Sequence, residues 1–256
     1  MDILLCVCII FILLIIHTVW PKYVHDPQYE KLKVIDILKN PPDIELNTGD
    51  IIFVNNCSKC KYTDDKMNNG FQYVYRNMFN SFRWYFQGNA RYTHTAIILR
   101  LNVDGVTKPY ICHIDGGDPM YDEIRQKYIA GVGPVVSSLK HINVCGGEVH
   151  LYKYKGPKIN EDMTSWVLKN RNVKYPDSLY KLTKINALKW DKNPNGVMAC
   201  TDFVENTLHH IGLLDKEFIS GQSTINDVVK IIQTHNCYNN IPIVLKNKCY
   251  DAKHFG

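Results

Sequence analysis

The chain has 256 residues, 45% of them hydrophobic and 21% charged, which excludes a disordered protein and suits one well-filled domain better than two. Its formal net charge is +5. Lysines and acids are interspersed with no block of like charge, so no nucleic-acid partner is implied, and the mild basicity is compatible with an anionic membrane surface.

Residues 3–16 form an unbroken apolar run that extends to Trp20 if His17 and Thr18 lie near an interface. A cleaved signal peptide would call for a basic segment ahead of this run and a small-x-small site behind it, and neither is present. Residues 1–20 therefore read as a single-pass membrane anchor, with Trp20, Lys22 and Tyr23 at the interface, in preference to a signal segment that would leave the body secreted. Residues 21–45, with prolines, mixed charge and a short helical pattern (Leu32, Ile35, Leu38), read as a stalk.

The body, residues 46–256, opens at the Gly49-Asp50 turn and the buried strand Ile51-Ile52-Phe53-Val54. Next comes Cys57-Ser58-Lys59-Cys60. Without a second Cys-x-x-Cys or a His pair, half of a tetrahedral site is missing, so the pair implies no metal or cofactor. Cys6 and Cys8 lie in the apolar head, and the other seven cysteines are odd in number, so at least one stays unpaired even in an oxidising compartment. Phe71, Tyr75, Met78, Phe79, Phe82, Tyr85 and Phe86 recur at helical spacing, the pattern of an amphipathic helix whose outer aromatics could meet lipid.

Residues 93–101 are β-branched and apolar and read as a strand with His94 at its start. Asp104-Gly105 turns the chain into a partner strand, residues 110–115, on which His113 and Asp115 project from one face because side chains alternate. Further strands are expected near residues 133–137 and 149–154. Helices are expected from Asn160 through Leu168, after Pro176-Asp177, from Cys200 to near Gly212, and from Ser223 with Val228, Val229, Ile231 and Ile232 inward. A strand at residues 241–245 closes the chain. Mostly antiparallel strands followed by helices make an α+β domain.

Cys200 begins a helix on which Phe203, Val204, Leu208 and Ile211 form the apolar face, with Asp202, Glu205, Asn206 and His209 between them. A thiol there is pushed toward thiolate by the macrodipole, whereas Asp202 in the first turn opposes that. A thiolate, an imidazole and a polar group to hold the imidazole are the parts of a thiol acyl-transfer enzyme. Cys200, His94, and His113 or Asp115 supply them.

The succession Gly49-Asp50-Ile51-Ile52-Phe53, His94-Thr95-Ala96-Ile97-Ile98-Leu99, Tyr175-Pro176 and Ala199-Cys200-Thr201-Asp202-Phe203-Val204 resembles the permuted NlpC/P60 papain-like superfamily. Within it the chain is most similar to the YaeF/YiiX-like group, with relatives in poxviruses and other large DNA viruses and cousins among the lecithin:retinol acyltransferases. The resemblance covers residues 46–215. It implies a circularly permuted papain-like domain with Cys200 as nucleophile, His94 as general base, and His113 or Asp115 as third member. The implied activity is that of a membrane-tethered cysteine hydrolase acting on a peptide-like amide, or on a lipid acyl ester, through a thioester, with no cofactor. A virion membrane protein that keeps the fold without the chemistry is the non-enzymatic alternative.

Overall fold

The computed structural model describes residues 11–12, 34–36, 44–55, 92, 94–115, 120–129, 131–138, 148–175, 197–214, 225–239 and 241–246. Nine strands are defined among them: β1 (Val34–Asp36), β2 (Ile51–Asn55), β3 (His94–Val103), β4 (Val106–His113), β5 (Met120–Asp122), β6 (Lys127–Ile129), β7 (Val135–Ser137), β8 (Glu148–Tyr152) and β9 (Ile243–Lys246). Three helices accompany them: α1 (Thr164–Lys169), α2 (Cys200–His210) and α3 (Ile225–Thr234). The main sheet runs β1-β9-β8-β2-β3-β4-β7, antiparallel throughout except for the β1–β9 pair, and β5 and β6 form a separate two-stranded ribbon. The molecule is thus mixed α+β with a largely antiparallel sheet.

The hairpin β3–β4 is closed by Asp104 and Gly105, with φ of 53° and 79°. Both residues are left-handed, as a two-residue turn needs if it is to match the twist of its strands. Strand alternation then divides the core in two. Ile97, Leu99 and Leu101 of β3, Tyr110 and Cys112 of β4, and Ile51 and Phe53 of β2 share one face, which receives Phe203, Val204 and Leu208 of α2 and Val228 and Ile232 of α3. Ala96, Ile98, Ile111, Ile52 and Leu151 build the second cluster on the other face. Because both faces are buried, residues 96–99 read as a continuous apolar run with no polar alternation. Each fully buried Ile or Leu contributes about 1.5–3 kcal/mol.

Helix α1 is fastened to β3, since Met163 donates its N–H to the Arg100 carbonyl (3.0 Å) and Asn102 donates its N–H to the Thr164 hydroxyl (2.8 Å). The Trp166 indole N–H in turn donates to the Thr207 hydroxyl at 3.0 Å and joins α1 to α2. Helix α2 stops at Gly212, whose φ of 74° lets the Leu213 N–H return to the Leu208 carbonyl (2.8 Å). Among the described residues no helix is long and apolar enough to cross a membrane.

Several expectations need correction. The helical spacing of Leu32, Ile35 and Leu38 does not make a helix at residues 34–36: Val34-Ile35-Asp36 is an edge strand parallel to β9, in keeping with its adjacent β-branched residues. Helix α1 starts at Thr164 rather than near Asn160, where Asp162 instead accepts the Thr164 N–H (3.0 Å). In α3, Val228 and Ile232 are fully buried while Val229 and Ile231 are only partly so. The ribbon β5–β6 had no counterpart in the sequence reading. The apolar head apart from residues 11 and 12, the Cys57-Cys60 pair, the aromatic stretch 71–86 and the helix after Pro176 lie outside the described residues.

Candidate active site

The register of β3 on β4 pairs Ile97 with Cys112. Continued toward the strand ends, it sets Ala96 against His113 and His94 against Asp115. His94, His113 and Asp115 therefore share one face, and their ligand-capable atoms all lie within 4.8 Å of one another. Nε2 of His94 is 2.9 Å from Nδ1 of His113, a hydrogen-bond distance, with the rings nearly perpendicular at 82° and their centroids 4.9 Å apart. His113 is buried and His94 and Asp115 are half-buried. Burial and, second, the neighbouring His94 push the His113 imidazole down to about 3, against a smaller upward pull from Asp115. His113 is thus neutral at physiological pH. Asp115, which shared the candidacy for third member, lies in the same cluster, and His113 is hydrogen-bonded to His94.

Cys200 is the first residue of α2 and is buried. Ala199, at the N-cap, is extended (ψ 172°) and donates its N–H to Oδ2 of Asp202 at 2.8 Å. Ala offers no side-chain acceptor, so this bond is one half of a capping box. Burial raises the Asp202 carboxyl to about 6, only partly offset by the Ala199 bond. Thr201, Asp202, Glu205 and Thr207 are buried together with the apolar positions, so α2 is enclosed well beyond the stripe its sequence shows.

A ladder of backbone bonds brings the head of α2 to the same end of the sheet as the imidazoles. The Asp115 carbonyl accepts the Gly131 N–H (3.1 Å), and the Gly131 carbonyl accepts the Tyr175 N–H (2.9 Å). Lys174 bridges to Val132 on one side and to Val197 on the other, and its carbonyl accepts the Met198 N–H (2.9 Å). Three such strand-like steps of about 4.8 Å each separate the Asp115 backbone from the segment two residues ahead of Cys200. The far half of α2 is held at the other end of β3, because Thr207 bonds Trp166 of α1 and α1 is tied to Arg100 and Asn102. His94 lies on the register face of Ala96 and Ile98, opposite the apolar contacts of α2. The imidazoles and the packed face of α2 therefore stand on opposite faces of the sheet, with the segment ahead of Cys200 linked by the ladder to the end of β4 that bears Asp115.

Cys112 is no competitor as a nucleophile: it sits in the core and burial, with Asp122 second, pushes its thiol well above the usual range. The ladder through Gly131, Lys174 and Met198 went unseen in the sequence, since single-residue bridges carry no periodicity. Gly131 and Gly133, both at φ 68°, flank its bridge at Val132. No protein-family model, curated protein or solved structure matches the chain.

Proposed function

We propose that the protein is a thiol hydrolase of the permuted NlpC/P60 papain-like type, tethered to a membrane by residues 1–20 and acting at an amide or ester carbonyl. Cys200 is the nucleophile, His94 the general base, and His113 the group that orients His94. The observation that supports this reading is the backbone ladder that joins Asp115, beside the His94–His113 pair, to Met198, two residues ahead of Cys200.

The chemistry follows from the hydrogen bond. With Nε2 engaged by His113, Nδ1 of His94 is the nitrogen left to take the thiol proton, and neutral His113 accepts the Nε2–H of the resulting imidazolium. The thiolate attacks the carbonyl carbon, and the oxyanion forms at the N-terminus of α2, where first-turn N–H groups and the macrodipole favour negative charge. His94 returns its proton to the departing amine or alcohol, leaving a thioester on Cys200. Water then attacks the thioester with His94 as base, releasing the acid and restoring the thiol.

The deciding experiment labels the protein with iodoacetamide at neutral pH and maps the adducts. Cys200 is expected to react ahead of the other cysteines and to slow in His94→Ala. Equal, sluggish labelling at all cysteines would instead support a structural protein. Incubation with peptide libraries and, separately, with phospholipid vesicles distinguishes an amide substrate from a lipid ester.

A further inference from the structure

We infer that His94, His113 and Asp115 also form a binding site for one divalent transition-metal ion of the zinc type. The three residues supply two imidazole nitrogens and a carboxylate oxygen, all within 4.8 Å of one another. Ligands about 2.1 Å from a tetrahedral ion stand roughly 3.4 Å apart. The 2.9 Å between the two nitrogens therefore has to open by about half an ångström, which a small ring rotation of half-exposed His94 supplies. The His113 backbone is anchored by its pairing with Val135 of β7, so the adjustment falls on His94. Two imidazoles with one carboxylate favour zinc, cobalt or ferrous iron over magnesium or calcium, which prefer all-oxygen shells. Half-exposed His94 and Asp115 give the ion a path in and leave a coordination position for water.

Binding does not depend on the thiol reading, but one consequence does. An ion on Nε2 of His94 replaces the hydrogen shared with His113 and puts positive charge on the imidazole that must accept the Cys200 proton. Metal occupancy and thiol catalysis are then mutually exclusive, and zinc acts as an inhibitor.

The test uses the full chain with its thiols capped reversibly by methanethiolation, so that cysteine ligands elsewhere are silent. Zinc is titrated by calorimetry and cobalt by its visible absorption. One ion per chain is expected, with affinity at least tenfold weaker in His113→Ala, in Asp115→Asn and in His94→Gln, each checked for folding by its thermal melt. Absence of binding up to about millimolar metal overturns the proposal. Binding that persists unchanged in all three variants does so too, because it would locate the ion at other histidines. Metal binding without Cys200 reactivity would defeat the thiol reading alone, and a reactive Cys200 without metal binding would defeat this inference alone.

Discussion

Nε2 of His94 and Nδ1 of His113 lie 2.9 Å apart across two antiparallel strands, joining a half-exposed imidazole to a buried neutral one. If His94 is the base for Cys200, removing it strips the thiol of its proton acceptor. His94→Ala is expected to slow hydrolysis by about 10²–10⁴-fold, the usual range for a general base. His113→Gln should cost less, because it disturbs only the orientation of His94. Rates of iodoacetamide labelling at Cys200, measured with each variant's melting temperature, separate lost chemistry from lost fold. Identical labelling rates in wild type and His94→Ala would sink the assignment.

Asp202 couples the head of α2 to pH. Its carboxyl is raised from 3.8 to about 6, so between those values the folded chain holds a proton that the unfolded chain has released. Stability therefore falls as pH rises from about 4 to about 6 and levels off above, by roughly 3 kcal/mol in all. Asp202→Asn keeps an oxygen for the Ala199 N–H and removes the buried charge. It should flatten this part of the profile and make the protein more stable at pH 8. It should also speed labelling of Cys200 near neutral pH, since a negative charge beside the thiol is gone. Urea midpoints from pH 4 to 8 check the first expectation, and an unchanged slope refutes it.

Gly133 tests the ladder. A Cβ there would stand 2.3 Å from the Arg171 carbonyl oxygen and 2.6 Å from an Arg125 guanidinium nitrogen, on a backbone with φ of 68°. The oxygen belongs to the main chain, so relief requires moving residues 171–175, which carry the Lys174 link to Val197 and Met198. Gly133→Ala is expected to destabilise the fold by a few kcal/mol and to slow Cys200 labelling at temperatures where the chain remains folded. Gly105→Ala is the control: it shares the strained φ, at 79°, but nothing lies within 4 Å of its added carbon, and it is remote from Cys200. If both variants leave labelling unchanged, the ladder does not position the cysteine.

What could be read from the sequence was whatever repeats with a period. The β3–β4 hairpin was visible because Asp104-Gly105 suits only a left-handed turn between apolar runs, and the shared face of His113 and Asp115 follows from strand alternation. The start of α2 at Cys200 and its stop at Gly212 were visible for the corresponding helical reasons. The β1 strand was not, because three residues cannot distinguish a period of two from one of 3.6. Burial of Thr201, Asp202 and Glu205 was hidden too, since polar side chains signal solvent until a fold encloses them. The same holds for Asp50, legible only as a turn residue yet fully buried.

That aspartate supports the last prediction. Oδ2 of Asp50 accepts the Asn47 N–H (2.9 Å) and the Lys153 ammonium, and Oδ1 accepts the Tyr154 N–H (2.8 Å). Lys153 also donates to the Glu45 carbonyl. Burial nevertheless outweighs all three donors and raises the Asp50 carboxyl, so the carboxylate is held at a cost. The two partners are therefore unequal. Asp50→Ala strands two main-chain donors and a mostly buried ammonium, with an expected loss of about 3–5 kcal/mol. Asp50→Asn should be little better, because its amide turns a donor toward a donor. Lys153→Met leaves a carboxyl that can bind a proton and still accept both N–H groups, at about 1–2 kcal/mol. Urea unfolding at pH 7 should rank the three in that order, and a Lys153→Met loss as large as that of Asp50→Ala would mean that the ion pair, and not the bonds from the Asn47 and Tyr154 N–H groups, carries the stability of this aspartate.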